Sequence, residues 1–243
     1  MTGGPENLMS CLYNGPSGTL EKGIEINMSR IRLREGTVRD LNLVYIQMKT
    51  DFPAAERKSL AHIRQLMLKG HYRLLLAHDS ERHADVGYAF IFEPAAPRLL
   101  WLDYMAIYPR CQGAGYGSAL FTEIARMGED GLGVLLEVER ADSGESRLRR
   151  DQERRIAFYR RLGAEVLGVD YQLPTVDGSM PLDLYFKPSP GVTSLSKEDI
   201  LAAITAAFDY IHSDMPHRWA VLQSFIHTVT DHQIGQDGAE APK

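Results

Sequence analysis

Ile31 and Leu33 alternate with Arg32 and Arg34, the period-two pattern of a strand with one covered face. Thr37 followed by Asp40 predicts a helix start, and Leu41, Val44, Ile46 and Met48 follow it. Asp51-Phe-Pro-Ala-Ala-Glu-Arg57 interrupts that helix. Leu60, Ile63, Leu66 and Met67 predict a second one, stopped by Gly70. Three short runs rich in branched and aromatic residues, 72–77, 86–92 and 99–108, predict strands divided by turns. A helix is expected over 115–127, where Leu120, Phe121, Ile124 and Met127 recur at helical spacing. A strand over 134–139, a helix over 152–162 closed by Gly163, and a strand pair over 164–171 and 182–186 complete this part. Beyond the Pro- and Gly-bearing stretch 187–194, Ser196 and Asp199 open a helix with Ile200, Leu201, Ile204, Phe208 and Ile211 on one face. Pro216 precedes another, carrying Trp219, Leu222, Ile226 and Val229.

The order of elements predicts an α/β chain with a mixed sheet. It divides into a flexible leader over 1–28, a domain over 29–188, a helical extension over 189–234 and a disordered tail over 235–243. The apolar faces of the extension need burial, either over the mouth of a site or in a homodimer surface. With 243 residues, 44% hydrophobic and 24% charged, the chain buries a core without metal or disulfide staples. No apolar run approaches the roughly 20 residues of a membrane span, and no secretory signal is visible, so no membrane is expected. The two cysteines, Cys11 and Cys111, do not make a disulfide framework, which points to a reducing cytoplasm. A net charge of −5 argues against nucleic acid as a partner. The seven arginines between Arg147 and Arg161 read as a solvated helix face, with attraction of a polyanionic ligand as a second reading and RNA, for which only Phe158 and Tyr159 stand as aromatic neighbours, as the least favoured third. The histidines show no ligand-like spacing, so no metal is expected.

The chemistry is concentrated after the third of those strands. A strand ends at Pro109, Gly113, Gly115 and Gly117 follow, and a helix begins at once. Glycines let backbone N–H groups turn inward, and a helix start adds free donors at the positive end of its dipole. Such a turn suits a pyrophosphate. A dinucleotide fingerprint needs G-x-G-x-x-G, whereas the spacing here is G-x-G-x-G. A Walker loop is excluded, since no Lys-Ser or Lys-Thr closes the turn.

Gln112-Gly-Ala-Gly-Tyr-Gly117 resembles the Q/R-x-x-G-x-G/A acetyl-CoA motif of the GNAT N-acetyltransferase superfamily. The strand Leu102-Asp-Tyr-Met-Ala-Ile107 before it, Leu136-Glu-Val-Glu139 after it and the helix Arg155-Ile-Ala-Phe-Tyr-Arg-Arg-Leu-Gly163 resemble further elements of that family in the same order, over residues 30–188. The resemblance implies a mostly antiparallel mixed sheet with a splayed parallel pair, flanked by helices. It implies acetyl-CoA as acyl donor and direct transfer to a primary amine. The backbone of Met105, Ala106 and Ile107 would pair with the pantetheine arm, and the amides of Gln112, Gly113, Ala114, Gly115, Tyr116, Gly117 and Ser118 would hold the pyrophosphate. Tyr159 matches the tyrosine that protonates the departing thiolate.

For the base that deprotonates the amine, Asp103 comes first, on the face of Trp101 and Met105, and Glu137 second, sharing a strand face with Glu139. Arg155 stands where the family often has Ala and is expected to reach a cofactor phosphate. The acceptor is expected between the 51–57 connection and the last strand pair, with Phe52 and Tyr171 as an apolar wall and Asp51 or Glu56 for a cationic amine. Small-molecule amines are the favoured acceptor. Protein or peptide amines, and a non-catalytic acyl-CoA-binding module, are the alternatives.

Overall fold

A computed structural model describes residues 30–54 and 56–235. The expected leader, with Cys11, and all but the first residue of the expected tail lie outside them. The first strand, β1 (Ile31–Glu35), leads into α1 (Val38–Asp51), which Thr37 and Asp40 close with reciprocal side-chain-to-backbone bonds. Next come α2 (Leu60–Leu68), β2 (Tyr72–Asp79), β3 (Ala84–Phe92) and β4 (Leu100–Ile107). A single 3₁₀ turn at Pro109–Cys111 precedes α3 (Tyr116–Met127), β5 (Gly133–Glu139) and α4 (Ser146–Arg161). The rest is β6 (Glu165–Val166), β7 (Gln172–Thr175), β8 (Gly178–Pro188), β9 (Ser194–Leu195), α5 (Lys197–Tyr210), α6 (Arg218–Phe225) and β10 (His232–Gln233).

The main sheet runs β1-β2-β3-β4-β5-β8-β6, with β7 also on β8, and β4–β5 is its one parallel pair. Each face buries an apolar layer. Leu41, Ile63, Leu74 and Trp101 lie in the layer shared with α1, α2, α5 and α6. Leu75, Leu102, Leu120 and Phe121 lie in the layer shared with α3 and α4. The extension is therefore no separate appendage. Phe208 of α5 and Phe225 of α6 pack edge-on to Tyr171, so their faces find cover without a second copy of the chain.

Three differences from the sequence reading have physical causes. Helix α4 starts at Ser146 rather than at 152, because its first turn is exposed and shows no apolar period. The strand expected over 164–171 shrinks to β6, since the Val169 and Tyr171 amides bond carbonyls two residues back and leave the ladder. Strand β8 begins four residues early, because the Val176-Asp177 turn folds it against β7. Among the described residues, no helix is long and apolar enough to cross a membrane.

Candidate active site

Strands β4 and β5 pair at only three positions, Leu100 to Leu102 against Val134 to Leu136, and then part. On the other side of β4, Phe90 faces Tyr104 and Ile91 faces Leu102, so Asp103 is one residue too many. Such a bulge bends the strand and re-aims its side chains. It moves Tyr104 to the side of Trp101 and Met105 to the side of Leu102. The expected common face of Trp101, Asp103 and Met105 is thereby lost. A cavity of about 320 Å³ opens where the strands diverge, and Met105, Ala106, Ile107 and Gln112 line it.

Five carboxylates line the same cavity: Asp51, Glu56, Asp103, Glu137 and Glu139. The Asp103 side chain is 2% exposed and bound on both oxygens, by Lys58 Nζ at 2.9 Å and by the Tyr72 hydroxyl. Burial works against the Lys58 ammonium, yet Asp103 holds it above the ordinary lysine range. Asp51 accepts from the Tyr88 hydroxyl at 2.7 Å and from Gln47 at 2.8 Å. Glu137 accepts from Tyr171 and lies 3.9 Å from His212 Nε2, an otherwise unpartnered buried atom. Burial pushes the Glu137 carboxyl up, but His212, Lys58 and Tyr171 outweigh it and hold it below the usual range. Glu139 takes Arg155 at 2.8 Å. Glu56 differs: burial and the neighbouring Glu139 push its carboxyl up to about 7.

The glycine turn has the conformation its sequence implies. Gly113 and Gly115 have φ of 77° and 82°, where a side chain is strained, and open space lies where a Cβ would stand. Gly115 caps α3. The turn is anchored from below: the Tyr116 hydroxyl donates to the buried Asp79, Arg30 donates to the Ala114 carbonyl at 2.9 Å, and Gln112 Nε2 donates to the Ile107 carbonyl at 3.1 Å. Tyr116 contributes its backbone, since its ring is core. A glycine turn at the start of a three-turn helix suits an anion such as a pyrophosphate, and of its residues Gln112 lines the cavity.

Tyr159 lines the cavity from α4, and burial pushes its phenol up to about 12. Its hydroxyl has no hydrogen-bond partner among the described residues, and its ring packs against Phe121 and Phe158. Arg155 lines the cavity one turn earlier, tied to Glu139.

The expected acceptor wall is partly corrected. Phe52 lines the cavity, but Tyr171 is fully buried among Trp101, Phe208 and Phe225, and its hydroxyl reaches the site only through Glu137. Leu173 and Leu182 supply the wall instead. Lys58, Tyr104 and His212 were missed by the sequence reading. Each acts through partners 45 or more residues away, and no local pattern marks them.

Residues 70–163 match a family described as the acetyltransferase (GNAT) domain. No curated protein sequence matches the chain. The fold is similar to that of a Bacteroides thetaiotaomicron protein described as a GNAT-family acetyltransferase, with TM-score 0.59 and 20% identity over 74% of this chain and 98% of that one. It is also similar to the spermidine/spermine N-acetyltransferase SpeG from Vibrio cholerae, with TM-score 0.52 and 13% identity over 68% of this chain and 97% of that one.

Proposed function

We propose that this chain, whose residues 70–163 match the GNAT acetyltransferase domain, moves an acetyl group from acetyl-CoA to a primary amine of a small cationic molecule. The observation that carries the acceptor class is the acidic, bounded cavity at the point where β4 and β5 part. Of its seven charged residues five are acids, and both cations, Lys58 and Arg155, are already paired within it. The uncompensated charge favours an ammonium group. Phe52 and Pro53 on one side and Leu173 and Leu182 on the other bound a volume of small-molecule size, which favours a free amine over a folded protein surface. The name of the Vibrio cholerae neighbour specifies a polyamine, an acceptor of the same charge type; the cavity's own charge, not that likeness, supports the reading.

Acetyl-CoA, when bound, supplies an activated acetyl thioester. The residues do the remainder. The Gln112 amide is spent on the Pro109 carbonyl at 3.3 Å, so the amides of 113–118 hold the pyrophosphate, and the backbone edge of Met105, Ala106 and Ile107 aligns the arm. Tyr159 Oη holds a proton beside the cavity for the departing sulfur. Asp103 is not free for proton work, because Lys58 and Tyr72 occupy it; it fixes the bulge and the 56–58 connection instead.

A panel of mono-, di- and polyamines alongside lysine-bearing peptides, each with acetyl-CoA and read by release of free thiol, tests this. Small cationic amines are expected to give the highest kcat/KM. Faster turnover of the peptides, or no thiol with any amine, would overturn the assignment.

A further inference from the structure

Four of the five carboxylates lining the cavity are committed to a cation or a hydroxyl: Asp51 to Tyr88, Asp103 to Lys58 and Tyr72, Glu137 to Tyr171, and Glu139 to Arg155. Glu56 is not. Among the described residues no cation or hydroxyl donates to its carboxyl, which meets only that of Glu139. Its backbone, by contrast, is pinned. The Tyr104 hydroxyl donates to the Glu56 carbonyl at 2.7 Å and accepts from the Lys58 amide at 3.1 Å, so the bulged strand sets where this side chain stands.

From this arrangement we infer that Glu56 is the general base of acetyl transfer, taking the proton that the acceptor ammonium must lose. This rests on the amine-acetylation reading of the same cavity. In the step, an N–H bond of the ammonium breaks and an O–H bond to a Glu56 carboxyl oxygen forms. The nitrogen keeps the electron pair and becomes the nucleophile. The proton then leaves Glu56 for water before the next turnover.

The surroundings suit that task. Burial raises the Glu56 carboxyl most, Glu139 and then Glu137 from β5 add to the rise, and Arg155 from α4 opposes them. Lys58 from the same connection and Asp103 from β4 neutralise each other nearby. Beyond Glu56, a second chamber of about 270 Å³ brings Asp177, His212 and Asp214 to its other side. A base that titrates near neutrality is charged when needed yet basic enough to accept a proton. Glu56 lies between α1 and α2, outside the strands that carry Asp103 and Glu137.

Glu56→Gln is close to isosteric, and it is the test. The wild-type rate should rise with pH through about 7, because only ionised Glu56 accepts a proton. Glu56→Gln should lower kcat about 100-fold and remove that limb. Its residual rate should instead track the fraction of amine already unprotonated in solution. Glu139→Gln should move the limb to lower pH, since a carboxylate that raised Glu56 is gone.

Infrared titration of the full chain without substrates gives an independent readout. A protonated-carboxyl band titrating near neutrality should be present in the wild type and absent from Glu56→Gln. Wild-type kinetics in Glu56→Gln, or a band that survives the substitution, overturns the inference while leaving the acetyltransferase reading intact. A wild type that transfers acetyl to no amine removes both.

Discussion

Tyr159 joins a deep position to a hydroxyl that has no hydrogen-bond partner among the described residues. A buried phenol usually finds a hydrogen-bond partner. Here the open side of the hydroxyl is the cavity, and burial keeps the proton on oxygen up to about 12. Tyr159→Phe should therefore lower kcat about 100-fold while calorimetry shows acetyl-CoA affinity within about twofold of wild type. Because the phenol stays protonated well above neutrality, no fall in wild-type rate between pH 7 and about 10 should trace to this residue. The acids of the cavity divide their tasks by partner rather than by type. Lys58 holds the Asp103 carboxylate, whereas among the described residues no cation or hydroxyl donates to the Glu56 carboxyl.

At the scale of elements, two devices make the site. One is the bulge at Asp103, which separates β4 from β5 after three paired positions and turns Tyr104 toward the 56–58 connection. The other is the turn before α3. Gly115 sits at φ 82°, which costs a residue with a Cβ about 1–2 kcal/mol even where space is free. Gly115→Ala should weaken acetyl-CoA binding about tenfold, because the strained turn relaxes and misdirects its amides. Gly144→Ala, at an open position without positive φ, should leave binding unchanged. Equal losses in the two variants, measured by calorimetry, would remove the turn from donor binding. The arginines of α4 follow the solvated-face expectation in part: Arg149 and Arg154 pair with acids on the helix itself, and Arg155 turns to Glu139.

At the scale of the molecule, the C-terminal helices and the sheet form one apolar layer. Phe208 is fully buried against Tyr171 and Phe225, and Tyr171 in turn holds Glu137. Phe208→Ala should cost about 3–5 kcal/mol, measured by urea unfolding, through the cavity left behind. Wild type and variant should each unfold in one transition, since a shared core melts as a unit. A second, independent transition would show that the extension folds separately. The same packing carries His212 and Asp214, far outside the matched segment 70–163, to the chamber behind Glu56.

Tyr159 was marked by resemblance to the family's helix, while periodicity and turn chemistry along the chain determined the order of the main helices and strands up to β6 and the glycine turn. Each of these depends on neighbours within a turn or a strand, and the chain carries that information locally. The exposed first turn of α4 and the short β6 escaped for the converse reason: one has no apolar face, and the other owes its end to inward bonds rather than to composition. Only the tertiary structure decided which acid is held and which is free. Lys58 reaches Asp103 across 45 positions and Tyr171 reaches Glu137 across 34, and a bulge exists only once a strand has a partner to be out of step with. The charge state of a buried carboxyl follows from what surrounds it in space, and spatial neighbours are the part of a fold that linear order does not record.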